Sequence, residues 1–125
     1  RDSIRRCIQF RKPTGQLASV AFTAAGVLSG INGMNECGIV VTSSMLLDQP
    51  LGNKRVRGLM HSGIVDRILS TAASVDEAIS IVQATQRDGC WAMIISDGDA
   101  GRSVQMHRHG GDRASTNRVR RQWHR

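Results

Sequence analysis

Tyrosine is absent from this chain of 125 residues, and only two Phe and two Trp supply aromatic rings. So few rings leave no row of platforms on which successive bases could stack, a common means of holding single-stranded nucleic acid. Three cysteines, Cys7, Cys37 and Cys90, form no CxxC pair and make an odd count, so neither a closed disulfide framework nor a thiolate zinc site is indicated. No apolar run reaches the roughly 18 residues needed to cross a bilayer. The basic start is not followed by the apolar stretch and small-residue site of a signal peptide. These absences predict a soluble, cytoplasmic chain with reduced thiols and no membrane partner. His107 and His109 form an HRH pair without flanking ligand spacing, so no metal and no cofactor is expected. Arg1 in place of an initiator Met is read as the start of an internal piece of a longer gene product.

Charge of one sign is abundant, at a formal net +7, but it is unevenly placed. Residues 1–12 hold five Lys/Arg against one acid, residues 102–125 hold seven against one, and residues 13–101 hold five against eight. A basic folded face would point to phosphate binding, whereas basic ends on a mildly acidic middle do not. Specific nucleic-acid recognition is therefore not expected.

Along the chain, alternation over 4–10 predicts a strand that ends at the turn signal Pro13-Thr14-Gly15. A small, uncharged apolar stretch predicts a strand over 17–23, a break at Gly26 and a new strand from Val27. Asn32-Gly33 is the strongest local turn signal, and with the β-branched run 39–42 it predicts a hairpin. Residues 48–53, punctuated by Pro50 and Gly52, read as a loop. Leu59, Ile64, Val65, Ile68, Leu69 and Ala72 recur at helical spacing and predict an amphipathic helix over 58–72. Ser74-Val75-Asp76-Glu77 has the form of a capping box and starts a second helix over 74–84. Residues 91–96 predict a core strand, 97–101 a tight turn, and 103–107 its partner. After His107 no apolar period remains, so 108–125 is expected to be a disordered basic tail on a domain spanning 1–107. Strands, then a helix pair, then strands predict an α+β fold rather than a doubly wound sheet.

Three ordered blocks carry a family likeness. They are Ala25-Gly26 with Gly33-Met34-Asn35-Glu36-Cys37-Gly38-Ile39-Val40-Val41, then Asp66-Arg67-Ile68-Leu69 with Ser74-Val75-Asp76-Glu77-Ala78, and then Ile94-Ile95-Ser96-Asp97 with Gly101. Together, over 13–106, they resemble the isopenicillin N acyltransferase family of N-terminal-nucleophile enzymes, whose relatives include the choloylglycine hydrolases. The resemblance implies a partial αββα sandwich with an antiparallel sheet and a helix pair. It also implies amide hydrolysis or acyl transfer on a small-molecule amide or acyl substrate. In that family an N-terminal cysteine attacks the carbonyl with its own α-amino group as base, and an oxyanion hole stabilises the intermediate.

Carried onto this chain, the oxyanion-hole asparagine falls on Ser44, whose hydroxyl can donate one hydrogen bond but equally can simply end a strand. Cys7 follows Arg6 within a strand and reads as an ordinary thiol, so the nucleophile is expected to be absent from this chain. Asn35 and Glu36 read as turn residues, Cys37 and Cys90 as core or turn fillers, and Trp91 as the start of a buried strand. The resulting expectation is an inactive fragment of an amide hydrolase or acyltransferase. The alternative is a small basic module that contacts nucleic acid or acidic partners through its termini.

Overall fold

The computed structural model describes residues 5–27, 29–45, 58–86, 91–98, 101–106 and 117–119. Seven strands, among the described residues, form one antiparallel sheet whose spatial order is the order of the chain. They are β1 (Arg6–Arg11), β2 (Ser19–Ala24), β3 (Asn32–Asn35), β4 (Val40–Met45), β5 (Trp91–Ser96), β6 (Gly101–Met106) and β7 (Asn117–Val119). The meander is interrupted once, between β4 and β5, by helices α1 (His61–Thr71) and α2 (Val75–Ala84). Each neighbouring pair is antiparallel, with β4 and β5 in register from Val40↔Ser96 to Met45↔Trp91.

Period-two alternation decides which side of the sheet the helices cover. Ala21, Asn35, Val41, Met93 and Ile95 point to one face and are buried there. The helices meet that face with Ile64, Val65, Ile68 and Leu69 from α1 and Val75, Ala78, Ile79 and Val82 from α2. Each fully buried aliphatic side chain contributes about 1.5–3 kcal/mol relative to exposure, so this single interface holds the fold. The opposite face carries Ile8, Phe10, Phe22, Met34 and Ile94, and among the described residues no helix or second sheet lies over it.

The α2 start is the expected one. Ser74 Oγ accepts from the Glu77 amide at 3.2 Å, and Glu77 Oε2 reaches back to the Ala73 amide at 2.8 Å. α1 begins at His61 rather than at Gly58, after an extended Met60 that makes no side-chain cap.

Other expectations change. Asn32 and Gly33 lie inside β3 instead of forming a turn, and the reversal falls at Glu36–Gly38, with Gly38 at φ 81°. Gly33 is needed for close approach. A Cβ there would stand 2.6 Å from Leu69 Cδ1 and 2.6 Å from the Val20 carbonyl oxygen. No strand begins at Val27; Thr23 Oγ1 instead donates to the Val27 and Ser29 carbonyls at 3.3 and 2.9 Å and holds that link in a loop. Within the expected disordered tail, Asn117–Val119 pairs with β6 as an edge strand, because backbone pairing there needs no apolar period. The loop expected over 48–53 lies outside the described residues.

Candidate functional site

Ser44 lies near the C-terminal end of β4, in register with Ala92 of β5. Alternation puts it with Thr42 and Ile94 on the open face, and its side chain is exposed. Ala92 opposite it is too short to cover the hydroxyl, so Ser44 Oγ can donate to a group approaching from the open side. Among the described residues this end of the open face therefore holds an exposed hydroxyl donor with no cysteine beside it.

The thiols are elsewhere. Cys7, in β1, pairs with Thr23 on the helix-covered side, and β1 is three strands from β4, roughly 14 Å at ordinary strand spacing. Cys37 is an exposed free thiol in the β3–β4 turn, at the other end of β4 from Ser44. Cys90 lies outside the described residues. No described cysteine therefore shares a face and an end of the sheet with Ser44.

Asn35 and Glu36 are tied into the scaffold. Asn35 Oδ1 accepts from the Cys37 and Ile39 amides at 3.1 and 3.0 Å, while Nδ2 donates to the Ala72 carbonyl at 2.7 Å. Asn35 thus closes the turn and fastens it to the C-terminal end of α1. Its backbone is in β3 rather than left-handed, so the side-chain bonds and not a special φ explain the residue. Glu36 Oε1 accepts from the Ala18 amide at 2.9 Å. Asp66 of α1 takes the Gly30 amide at 2.9 Å and the Arg11 guanidinium at 2.8 Å, joining the helix to β1 and the β2–β3 link.

A polar cluster that residue spacing did not reveal sits just inside β4, on the helix side. Ser43 Oγ donates to the Ile31 carbonyl at 2.9 Å and lies 3.1 Å from His61 Nε2. Ser43 Oγ has a single proton and three acceptors in reach, the Ile31 carbonyl, Asn32 Oδ1 at 3.4 Å and His61 Nε2, so the direction of the Ser43–His61 bond follows the imidazole tautomer. His61 is buried, stacks on Trp91 at 3.6 Å between ring centroids, and has its pKa lowered from the usual 6.5 by desolvation. Asn32 Oδ1 accepts from the Ser43 amide at 2.7 Å and completes the cluster. The available sequence signal was that His61 shares the helical stripe of Ile64, Val65 and Ile68, which predicts burial but names no partner.

A shallow cleft of about 410 Å³ occupies the other end of the open face, over Phe10, Val20 and Met34, with Lys12 and Glu36 also lining it. Among the described residues no group of three His, Cys, Asp or Glu side chains could hold a metal ion. No helix among them is long and apolar enough to cross a membrane.

The family described as acyl-coenzyme A:6-aminopenicillanic acid acyl-transferase matches residues 2–124. The chain belongs to this family. Among solved structures it is similar to penicillin V acylase from Agrobacterium tumefaciens, with a TM-score of 0.56 at 20% identity. That match covers 82% of the present chain and 32% of the acylase chain. At this identity the likeness is one of fold, and it places the sheet and helix pair in an N-terminal-nucleophile hydrolase architecture. No curated protein matches the chain. The acyl-transferase family match runs through Asn117–Val119, so the part of the tail that pairs with β6 falls within the family region.

Proposed function

We propose that this chain carries part of an amide-hydrolysing or acyl-transferring site, with Ser44 as an oxyanion donor and with a cysteine nucleophile that is none of its own three thiols. The observation that carries this reading is the placement of Ser44. In a chain of the acyl-transferase family, its hydroxyl stands on the face opposite the helices, beside short side chains and apart from Cys7 and Cys37.

In the complete reaction a thiolate adds to the acyl carbonyl and the carbonyl oxygen becomes an anion. Ser44 Oγ–H donates to that anion, and collapse expels the amine while leaving an acyl thioester. Water or an acceptor amine then takes the acyl group. A serine is a shorter donor than an asparagine amide, so its contribution depends on how closely the substrate descends onto β4. The substrate class is a small amide or acyl compound. Alone, the chain is catalytically silent.

Acyl trapping tests the proposal. The purified chain is incubated with an activated acyl thioester and then examined by intact-mass and peptide mass spectrometry. The expected result is no site-selective adduct on Cys7, Cys37 or Cys90 beyond that of the denatured chain. Rapid, saturable acylation of one of them in the folded chain would refute it.

A further inference from the structure

Backbone pairing between β3 and β4 stops short of Ser44. Their ladder holds only Met34↔Val40 and Gly33↔Val41, while β4 stays paired with β5 as far as Met45↔Trp91. The cause lies at the start of β3. Asn32 faces Phe22 of β2, and the Ile31 amide also turns to the Phe22 carbonyl, at 2.9 Å. Two successive residues against one make a β-bulge, which bends a strand and ends its pairing. With the Ile31 amide committed to β2, the regular exchange of backbone bonds with β4 is broken at the level of Ser43.

Side chains take over where the ladder ends. Asn32 Oδ1 accepts from the Ser43 amide at 2.7 Å, the place a β3 carbonyl would hold in a continued ladder. On the helix side, Ser43 Oγ lies 2.9 Å from the Ile31 carbonyl oxygen and 3.1 Å from His61 Nε2. His61 is in turn stacked on Trp91, the β5 residue that pairs with Met45. Ser43 is thus gripped from the β3 side and from α1, immediately before Ser44 in the chain.

We propose that Asn32 is a positioning residue for the amide-cleaving or acyl-transferring reaction: its carboxamide, backed by the Ser43–His61 contact, replaces the missing ladder and holds the end of β4 that presents Ser44. This rests on the reading of Ser44 as an oxyanion donor. Such a donor acts only where it meets the developing charge, and a misplacement of about 1 Å costs on the order of a hundredfold in rate. A strand end held from β5 alone would leave Ser44 free to swing by that much.

Backbone NMR on the full chain tests the proposal. In the native chain the Ser43 amide exchanges slowly although its acceptor is a side chain, and Ser44 has a backbone order parameter near the rigid value of about 0.85. Asn32→Ala removes the acceptor, speeds exchange at the Ser43 amide by about tenfold and lowers the Ser44 order parameter toward the flexible range near about 0.6. Asn32→Asp keeps an acceptor oxygen and restores both. A loss of global stability alone would leave the order parameter unchanged, because it reports the folded state. Rapid exchange of the Ser43 amide in the native chain overturns the proposal without need of any variant. An unaltered Ser44 order parameter in Asn32→Ala overturns it as well, as does an Asn32→Asp chain that behaves like Asn32→Ala. The amide-chemistry reading fails by a different result, site-selective acylation of one of the three cysteines in the trapping experiment, which leaves these backbone measurements as they are.

Discussion

Leu69 Cδ1 lies 2.6 Å from the point where a Cβ on Gly33 would stand, so helix α1 rests directly on the backbone of β3. The same point is 2.6 Å from the Val20 carbonyl oxygen, which belongs to the adjacent strand and cannot rotate aside. Gly33→Ala therefore forces α1 or β2 to shift. The expected loss is about 1–3 kcal/mol, as for other overpacked cores, seen as a lower urea midpoint with unchanged slope. A neutral or stabilising Gly33→Ala would show that the contact relaxes without resistance.

Asn35 makes three hydrogen bonds across a buried junction, to the Cys37 and Ile39 amides and the Ala72 carbonyl. Truncation to Ala strands those groups, and Ile39 is fully buried. The expected destabilisation is about 2–3 kcal/mol, with faster hydrogen exchange at the Ile39 amide than at the Met93 amide in the core. If Asn35 were a site residue rather than a structural one, its loss would leave that exchange unchanged.

His61 makes stability depend on pH. Desolvation holds its folded pKa below the unfolded value of 6.5, so the unfolded chain binds the extra proton more readily. With more protons on the unfolded state, stability rises with pH: the His61 contribution is whole above 6.5 and is lost as pH falls from there through the lowered folded pKa. Thermal melts between pH 7.5 and 5 should decline, and His61→Gln, whose amide can still hydrogen-bond Ser43, should flatten the decline. An identical decline in the variant would assign the pH dependence to other groups.

Where local rules and tertiary demands agree, the sequence is a good guide. Ser74 with Glu77 marks the start of α2, and the apolar run Trp91–Ser96 is a core strand because it is short, β-branched and bounded by turn formers. Gly33 misleads because a glycine next to Asn looks like a turn, while its actual use is to admit Leu69, a contact 36 positions away. β7 is invisible to periodicity because three residues hydrogen-bonded to an edge need no apolar face. Of the candidate site, Ser44 is reached only through the family resemblance, by its distance after Gly38, and the strand register adds its exposed place on β4. The Ser43, His61 and Trp91 cluster is not, since its members come from β4, α1 and β5 and meet only once the sheet is formed.

In the proposed function this chain supplies scaffold and Ser44 as an oxyanion donor, and none of its own three cysteines is the nucleophile. The most direct measurement is turnover of a chromogenic acyl amide by the purified chain, alongside Cys7→Ala and Ser44→Ala. The account predicts rates indistinguishable from the buffer reaction for all three, since loss of the nucleophile removes most of the catalytic power of such a site. Hydrolysis above background that disappears in Cys7→Ala would contradict it and make Cys7 the nucleophile.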